Sequence, residues 1–559
     1  MDDRQVDVLI VGGGTVGLFS ALFLSRLGVS TLTVDRHPAP LVHPRAMGIG
    51  PRTVELLREA GIADAVDAVC MDMSGSDLQM FSTPTLAEAD LPALAAKALP
   101  RLGDFDHVTP QTLRGTCPQS ELDKVVLDAA RTQGADVRFG TELRAFTQDE
   151  SGVTAELDGP HGRTGVRARY MVAADGARSG VRAALGIGTS GPGTLGLPLI
   201  SMLFRSDLSG LTQGQTFTMC EITTPAAPGG LLPVDGKREW IYHTRYDPAT
   251  GRSPADFTPE LCLGLIRAAV GVPALDAEVV SVLPWQVRGA VADHFHTARV
   301  LLTGDAAHVV PPVGAFGMNT GVADAHNLAW KLAYVLSGAA GPGLLETYEA
   351  ERRPVALTTL EQALNRLGDP SLHWGRGPEA AARRAAAGTL NAPVLHLGYR
   401  YDSAAVIDAR PALPSAEDVE ADLDGAPGSR LPHVWLSRSG TRVSTLDLVR
   451  SRFTLLTGPG GAAWLDAARD VSAELDVEVD GHRIGRRPGP DGELGDPEAR
   501  WPDVAGIGET GTVLVRPDGF VGWRATSLPA FPGAVLYEVL AKLLCSPSAE
   551  EKPMDLRVR

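Results

Sequence analysis

A glycine-rich turn between a buried strand and a helix, close to the N-terminus, constrains the fold of this chain more than any other feature. Val6–Val11 is typical of a buried parallel strand, and residues 12–17, Gly-Gly-Gly-Thr-Val-Gly, fit the pattern G-x-G-x-x-G. A helical pattern follows over Leu18–Leu27, and a second apolar strand, Thr31–Val34, ends at Asp35. This order of strand, turn, helix, strand and acid predicts a Rossmann-like unit that binds a dinucleotide.

Each position of this turn has a physical reason. Gly12 permits the sharp turn, Gly14 permits the close approach of a pyrophosphate, and Gly17 permits the helix to pack on the strand. Asp35 would accept a hydrogen bond from a ribose hydroxyl and would repel a 2′-phosphate, so the unit should hold FAD or NAD rather than NADP. The residues expected to contact the dinucleotide are Gly12, Gly14, Thr15, Val16, Gly17, Asp35 and Arg36.

The segment of residues 304–321 is a second candidate ligand site. An apolar strand, Val300–Thr303, leads to Asp305, and the turn that follows is stiffened by Pro311-Pro312. A helical pattern then begins at Val322. Glycines in the segment let the main chain approach a planar ligand, and the free N–H groups of a helix start favour negative charge. Since a carboxylate accepts from hydroxyls, the segment predicts a polyol-linked aromatic ligand whose ring gathers electron density.

These motifs resemble those of a known family. Gly304-Asp305, Pro311-Pro312 and Gly317-Met318-Asn319 are similar to the second flavin motif of the class A FAD-dependent aromatic monooxygenases, the para-hydroxybenzoate hydroxylase and phenol hydroxylase group. The resemblance implies that the aspartate meets the ribityl chain of FAD and that the glycine-rich turn lies under the isoalloxazine ring. One departure is visible, because the family usually carries two glycines where this chain has Gly314-Ala315. The cofactor contacts that the resemblance implies in this segment are Gly304, Asp305, Pro312, Gly317, Met318 and Asn319.

Four shorter stretches resemble other FAD contacts of this family. Residues 42–49, called the arginine loop below, resemble the family's arginine loop, in which the residue matching Arg45 meets the flavin region. Gln119 opens a helix like the family's glutamine-bearing helix start, and Leu143 matches a position whose backbone usually meets adenine. Asp175-Gly176 ends an apolar strand and resembles a motif associated with both FAD and the nicotinamide cofactor. Because no second G-x-G-x-x-G follows in a strand-to-helix context, the N-terminal motif is assigned to the ADP half of FAD.

Length and pattern together predict several domains. At 559 residues the chain exceeds what a single core usually accommodates. Short β-like runs bounded by Gly and Pro suggest an antiparallel sheet in the middle of the chain, and the tail resembles the thioredoxin-like unit of the larger phenol and polyketide hydroxylases, without C-x-x-C. We expect a mixed α/β protein with a Rossmann-like FAD-binding domain in two parts (1–188 and 297–395), an antiparallel-sheet substrate domain (189–296) and a thioredoxin-like C-terminal domain (396–559).

The predicted antiparallel sheet supplies candidates for a substrate pocket. The family resemblance places an aromatic substrate between this sheet and the flavin, so Trp240, Tyr242 and Pro311 are expected in the pocket. Tyr242, His243 and Pro312 are candidates for a direct part in catalysis, and no catalytic base can be named from the sequence. Strict alternation along the strand would turn His243 to the face opposite Tyr242.

Charge and composition exclude several classes of function. A net charge of −16 and a pI of about 5.3 argue against a nucleic-acid or anionic-membrane binder. The five cysteines form no C-x-x-C pair and the 13 histidines show no ligand spacing, so neither a disulfide framework nor a metal site is predicted. Val8–Ser25 is uncharged, but its glycines favour a strand and helix over a membrane span. We expect a cytoplasmic monomer or homodimer whose partner is a small molecule.

The resemblance covers nearly the whole chain and implies an activity. It implies an FAD-dependent monooxygenase that consumes NADPH or NADH and O₂ and hydroxylates a polycyclic aromatic, polyketide-type substrate through a flavin C4a-hydroperoxide, in antibiotic or secondary-metabolite biosynthesis. The tail, above all Leu514–Arg524, looks most like that of bacterial aromatic polyketide hydroxylases. Two alternatives stay open. One is a Baeyer–Villiger-type or antibiotic-inactivating flavin monooxygenase using the same flavin site, and the other is a flavin-bearing protein that binds an aromatic ligand without oxidising it.

Overall fold

The computed structural model describes residues 4–75, 77–98, 105–489 and 493–546, and the elements below belong to these residues. The strands in chain order are β1 (Arg4–Val11), β2 (Thr31–Asp35), β3 (Met71–Asp72), β4 (Met80–Thr83), β5 (Gly115–Thr116), β6 (Asp136–Phe139), β7 (Glu142–Asp149), β8 (Gly152–Gly159), β9 (Gly162–Ala173), β10 (Thr189–Thr194), β11 (Leu199–Arg205), β12 (Met219–Ile222), β13 (Gly229–Pro233), β14 (Glu239–Arg245), β15 (Glu278–Trp285), β16 (Arg288–Ala292), β17 (His296–Thr297), β18 (Val300–Leu302), β19 (His308–Val309), β20 (Trp435–Arg438), β21 (Thr441–Ser444), β22 (Phe453–Thr457), β23 (Val479–Gly485), β24 (Leu494–Gly495), β25 (Thr512–Val515) and β26 (Val521–Ala525). The α-helices are α1 (Thr15–Arg26), α2 (Pro51–Glu59), α3 (Ala63–Ala68), α4 (Leu91–Lys97), α5 (Gln119–Thr132), α6 (Gly180–Ala184), α7 (Ser209–Thr212), α8 (Pro259–Val270), α9 (Phe316–Ser337), α10 (Gly343–Gly368), α11 (Ser371–Trp374), α12 (Gly377–Ala386), α13 (Val419–Asp422), α14 (Ala462–Leu475), α15 (Trp501–Ala505) and α16 (Pro532–Leu543). Within the described residues, no helix combines the length and the apolar character that crossing a bilayer requires.

The first sheet is built on parallel strands that alternate with helices. Its strand order is β17-β18-β9-β1-β2-β6, and β8 and β7 continue from β9. Strand β1 pairs in parallel with β2 and with β9, and β9 pairs in parallel with β18. The Rossmann-like arrangement predicted from the N-terminal motif is therefore confirmed, and the chain returns to this sheet at β18 after building the second one.

The register places the candidate ligand residues at one edge of the first sheet. Val11 at the end of β1 pairs with Ala173 at the end of β9, and Ala173 pairs with Leu302 at the end of β18. Val34 in β2 also pairs with Val11. The carboxyl ends of four strands are therefore level, and the turns that follow them meet in one place, where ligands bind in open α/β sheets.

Helices α1 and α9 pack against each other beside this sheet. The β1 residues Val8, Leu9 and Ile10 are 0% exposed, as expected for a parallel strand covered on both faces. Helix α9 begins at Phe316 rather than at Val322, where the apolar pattern predicted its start. The first turns contain the buried Phe316 and two glycines, Gly317 and Gly321, whose backbone packs closely on Val310 and Val16.

The second sheet forms the middle of the chain. Its strand order is β15-β11-β14-β13-β12-β4, and its neighbours are antiparallel except for β12 and β4. Helix α8 covers one face through Cys262 and Ile266, which join a core with strand residues. The antiparallel sheet predicted from the sequence is present. Because β4 comes from residues 80–83, the segment 1–188 also contributes to it, and the exact domain boundaries stay a prediction.

The third sheet belongs to the C-terminal part. Its strand order is β21-β20-β24-β23-β22-β25-β26. Strands β22 and β23 are parallel and joined through α14, whereas β25 and β26 form an antiparallel hairpin that precedes α16. This β-α-β unit followed by a hairpin and a helix is the thioredoxin-like arrangement expected from the tail.

A buried ion cluster joins the C-terminal sheet to the helices of the first domain. Arg516, in the hairpin turn, donates to Glu351 of α10 at 2.8 Å and to Asp518 at 2.5 Å. Lys331 of α9 donates to the same Glu351 at 2.7 Å. All four side chains are at most 1% exposed. Burial alone would raise the pKa of Glu351, but Arg516 and Lys331 hold that pKa well below its ordinary value.

Candidate functional site

The glycines of the N-terminal turn are required for different reasons. A Cβ atom on Gly12, which has φ +111°, would lie 2.3 Å from the Ala174 carbonyl oxygen, and a Cβ on Gly17 would lie 1.9 Å from the Gly12 carbonyl oxygen. A Cβ on Gly14 would meet no described atom within 4 Å beyond its chain neighbours. Protein packing therefore dictates the first and third glycines, whereas the second borders open space that suits a pyrophosphate.

Helix α1 offers its free N–H groups to that space. Its N-cap, Gly14, has no side-chain cap among the described residues, so the first-turn amides of Thr15 and Val16 are available to an anion. The Thr15 hydroxyl is already engaged, because it accepts from Gln119 Nε2 at 2.8 Å and donates to Asp123 Oδ1 at 2.5 Å. Gln119 thus supports the turn through Thr15, a connection that the motifs did not indicate. Burial raises the pKa of Asp123 to about 7.

Asp35 is oriented by the turn itself. Its Oδ2 accepts from the Gly13 amide at 2.7 Å, and its Oδ1 accepts from the His37 amide at 2.8 Å. The carboxylate is thereby fixed at the end of β2 beside the glycine turn, which is the place a ribose-binding acid occupies in this fold. Arg36 is exposed next to it. Leu143, in β7, is half-buried and packs at the margin of the first core.

The two glycine motifs pack on each other through one side chain. A Cβ on Gly304, which has φ +58°, would lie 2.8 Å from Val16 Cγ2, and a Cβ on Gly321 would lie 2.6 Å from the same atom. Val16 at the start of α1 therefore fits between the turn after β18 and helix α9. This contact makes one continuous site from the two motifs.

Asp305 and Arg45 face each other across this site. The Asp305 side chain is exposed, yet the surrounding protein raises its pKa by burial, and electrostatic interactions with His308 and Arg45 oppose that rise. Arg45, itself exposed, also acts on Asp123. An exposed carboxylate beside the glycine turns suits a ligand rich in hydroxyl groups.

Among the described residues, Asp175 presents one acceptor oxygen without a hydrogen-bond partner. Its Oδ2 accepts from the Val181 amide at 3.1 Å, whereas its Oδ1 is buried and has no hydrogen-bond partner among the described residues. Gly176 has φ +83°, the left-handed conformation that favours glycine. Buried carboxylate oxygens are normally paired, so this oxygen is suited to a ligand donor.

The Asn319 side chain is not available to a ligand. Its Oδ1 accepts from the Gly50 amide and the Thr53 hydroxyl, both at 2.7 Å. Its Nδ2 donates to the carbonyl oxygens of Ala315 at 2.6 Å and Gly48 at 3.1 Å. With both lone pairs and both hydrogens used, the amide joins the arginine loop to the 304–321 segment, and only its backbone N–H remains for a cofactor.

The start of α9 borders the same cleft. Gly317 and Met318 are half-buried in its first turn, and the N-cap Ala315 has no side-chain cap among the described residues, so the helix N–H groups are free to favour negative charge. Of the two prolines before it, Pro312 is exposed and Pro311 is buried. Pro311 is therefore better placed to shape the turn than to touch a substrate.

The structure does not bring Trp240 and Tyr242 to the cleft. Trp240 is 2% and Tyr242 0% exposed, and both belong to the core that α8 covers. The Tyr242 hydroxyl donates to the Ala227 carbonyl oxygen at 2.7 Å, and burial raises the pKa of Tyr242 to about 12. Their expected place in the pocket is corrected, because alternation along β14 turns these even-numbered residues away from the cofactor side.

The opposite face of the second sheet meets the arginine loop. His43 of that loop lies with Nε2 2.6 Å from Ser201 Oγ and Nδ1 2.6 Å from Ser281 Oγ. Ser201 pairs with His243 across β11 and β14, so His243 shares this face. The His243 Nδ1 is buried without a partner among the described residues, and its ring lies 6.1 Å from that of Trp285. His243 and Trp285 replace the earlier pair as candidate pocket residues.

The histidine that anchors the loop predicts a pH dependence of stability. Burial, and then Arg45, lower the pKa of His43 to about 4 from 6.5. The unfolded chain takes up this proton near pH 6.5 and the folded chain only near pH 4, so stability present at neutral pH is lost as the pH falls through that window. The loss from this group is at most about 3 kcal/mol. Urea unfolding near pH 7 and near pH 5 should show a smaller loss for His43→Asn than for the wild type, and equal losses would contradict this assignment.

Comparison with known proteins agrees with the geometry. Residues 5–363 match the family described as an FAD binding domain, and residues 424–547 match the one described as aromatic-ring hydroxylase, C-terminal. A putative polyketide hydroxylase of Streptomyces halstedii is 44% identical over 530 residues, which cover 93% of this chain and 94% of the relative. The tetracenomycin A2 monooxygenase-dioxygenase of Streptomyces glaucescens is 41% identical, with 98% of each chain covered.

A solved structure extends this agreement to three dimensions. The ternary complex of aklavinone-11 hydroxylase with FAD and aklavinone superposes with a TM-score of 0.82 and 38% identity, covering 97% of this chain and all of that one. The resemblance inferred from the motifs is confirmed, including the class of enzyme and the use of FAD. The chain therefore belongs to the FAD-dependent aromatic-ring hydroxylases and is a flavin monooxygenase related to the polyketide hydroxylases.

Proposed function

We propose that this protein hydroxylates a polycyclic aromatic, polyketide-type substrate in antibiotic or secondary-metabolite biosynthesis, with NADPH or NADH as the reductant. In the balanced reaction an aromatic C–H, O₂, NAD(P)H and a proton give a phenol, NAD(P)⁺ and water. The observation that carries the proposal is that the arginine loop joins the FAD motifs to one face of the second sheet, through Asn319 on one side and His43 on the other.

The residues at the sheet edge suit the parts of FAD. The free amides of α1 and the open space at Gly14 suit the pyrophosphate, Asp35 the adenosine ribose, and Asp305 the ribityl hydroxyls. The free N–H groups at the start of α9 suit the electron-rich edge of the ring. The chemistry supplied by bound FAD is reduction by the nicotinamide and delivery of one oxygen atom from O₂ to the substrate.

The face of the second sheet suits an aromatic substrate. Trp285, which is 36% exposed, provides a ring for stacking, whereas Leu203 and Ile241 on the same face are buried in the protein core. Burial, and then His43, lower the pKa of His243 to about 4, so both histidines are neutral at physiological pH. His243 therefore offers a hydrogen bond to a phenol or quinone oxygen without adding charge. Deprotonation of the phenol then depends on the acidity of the substrate itself.

The carboxylate at the cleft floor gives a direct test of the cofactor assignment. Asp305→Ala removes the acceptor for the ribityl hydroxyls, and each hydrogen bond to a charged group contributes about 1.5–3 kcal/mol, so FAD affinity should fall about tenfold to a hundredfold. The measurement is fluorescence titration of the apoprotein with FAD. Asp305→Asn keeps an acceptor oxygen and should therefore lose less FAD affinity than Asp305→Ala. A purified Asp305→Ala protein with full flavin occupancy would refute the assignment.

The proposed activity is tested by reduction followed by oxidation. The holoenzyme is mixed anaerobically with NADPH or NADH, with and without polycyclic phenols and quinones, and O₂ is then admitted for mass analysis. Faster reduction with one compound, and a gain of one oxygen on its ring, would support the proposal. Oxygen gain with ring expansion would favour Baeyer–Villiger insertion, and nicotinamide consumption that no aromatic compound accelerates would favour a ligand-binding protein.

A further inference from the structure

Ala315 has a backbone conformation that residues with a side chain rarely adopt. It is the N-cap of α9 and has φ 56° and ψ 32°, in the left-handed region. Its amide donates to the Pro312 carbonyl oxygen at 3.0 Å, and its carbonyl oxygen accepts from Asn319 Nδ2 at 2.6 Å. These bonds hold the turn in place. The chain thus has the methyl group of Ala315 at a position where glycine would be less strained.

The methyl group of Ala315 is directed at one point of the arginine loop. A Cβ built on Gly48 would lie 2.7 Å from the Ala315 Cβ, and no other described atom beyond the chain neighbours comes within 4 Å of it. Carbon atoms in contact lie about 3.5–4.0 Å apart, so the gap between the loop and the turn holds a methyl group from one side only. Gly48 has no left-handed φ, so its backbone itself accepts alanine.

The loop around Gly48 has little freedom to move away from this contact. The carbonyl oxygens of Ala46 and Met47 accept from the amides of Gln119 and Cys117, each at 2.9 Å. On the other side, Asn319 binds both the Gly48 carbonyl oxygen and the Gly50 amide, as described above. The loop is thus held before and after Gly48. The contact with Ala315 therefore limits how closely the loop approaches the 304–321 segment.

The position of the loop determines where Arg45 lies. Arg45 is three residues before Gly48, and its charge acts on Asp305 at the cleft floor and on Asp123 behind the N-terminal turn. A Coulomb interaction weakens with distance, so a shift of the loop would change the electrostatics at both halves of the FAD site.

We propose that Ala315 and Gly48 form a size-matched positioning pair, in which a single methyl group fixes the spacing between the arginine loop and the 304–321 segment and so places Arg45 at the FAD site. The pair accepts one methyl group, on either side, and not two. This proposal rests on the FAD site alone and is independent of which substrate is hydroxylated.

Moving the methyl group from one side to the other tests the pair. Gly48→Ala places two methyl groups in the gap and should weaken FAD binding about tenfold or more, because overpacking must push the loop away. Adding Ala315→Gly removes the second methyl group and should restore FAD affinity to within about twofold of the wild type. FAD titration and the visible spectrum of the bound flavin, both without substrate, provide the readouts, and Ala315→Gly alone completes the cycle.

A matched control separates this contact from the general effect of a new methyl group. Gly264 is exposed in α8, and a Cβ there would meet no described atom within 4 Å beyond its own helix, so Gly264→Ala should bind FAD as the wild type does. Normal FAD binding and an unchanged flavin spectrum in Gly48→Ala would overturn the proposal. A double variant as impaired as Gly48→Ala would also overturn it. If Gly48→Ala alone gives no soluble protein, the double variant tests the proposal. Normal FAD binding by the double variant would support it, and loss of FAD binding would contradict it.

Discussion

Replacing Gly14 with alanine is expected to leave the fold intact and to abolish stable FAD binding. The structure leaves room for the new methyl group, because a Cβ at this position meets no described atom within 4 Å beyond its chain neighbours. That room is the space through which a pyrophosphate approaches the amides of α1. The turn cannot retreat to make new room, because Gly12 and Gly17 are fixed by contacts with backbone atoms. FAD affinity should therefore fall about a hundredfold or more.

The measurement pairs cofactor binding with the integrity of the apoprotein. The visible flavin absorbance of purified Gly14→Ala should be nearly absent, while its circular dichroism and its apoprotein melting temperature should equal those of wild-type apoprotein. Gly264→Ala again provides a glycine-to-alanine control with flavin fully bound. A Gly14→Ala protein that purifies with a full complement of FAD would show that the pyrophosphate lies elsewhere.

Arg516→Met is expected to be the most destabilising single change outside the FAD site. The wild-type cluster balances two cations, Arg516 and Lys331, against two anions, Glu351 and Asp518, with all four side chains buried. The variant leaves two buried carboxylates with one buried lysine. Removing one partner of a buried ion pair costs about 3–5 kcal/mol, because the remaining charge is uncompensated.

An exposed arginine supplies the control for this prediction. Arg163 pairs with Glu156 at 2.9 Å, and their side chains are 68% and 44% exposed. Arg163→Met should change the free energy of unfolding by less than about 1 kcal/mol. Urea unfolding of both variants measures the difference. If both variants lower the free energy of unfolding by the same small amount, the hairpin turn at Arg516 does not hold the C-terminal domain to α9 and α10.

The sequence was most informative where a motif combines an element pattern with a special residue. The N-terminal turn, the aspartates at strand ends and the start of α5 at Gln119 all lie where the pattern predicted them, because backbone geometry at a strand-to-helix turn leaves few choices of residue. The thioredoxin-like tail was also predicted, from the hairpin and the terminal helix.

The sequence was least informative where long-range contacts decide the role of a side chain. The engagement of the Asn319 amide depends on Gly48, Gly50 and Thr53, which are distant in sequence, so the motif alone suggested a cofactor contact. Trp240 and Tyr242 were expected in the pocket because the family resemblance places the substrate beside this sheet, yet the register of β14 turns them into the core. The alternation already indicated that His243 lies opposite Tyr242, and the serines that bind His43 identify which face meets the cofactor.

The fate of the two atoms of O₂ tests the central account most directly. The holoenzyme is supplied with NADPH, heavy-isotope O₂ and the polycyclic phenol that most accelerates flavin reduction, and the product is examined by mass spectrometry and NMR. We expect one heavy oxygen on an aromatic carbon of an intact ring, and the other heavy oxygen in water. Heavy oxygen inserted into a ring carbon–carbon bond, or found only in hydrogen peroxide with every substrate that accelerates reduction, would contradict it.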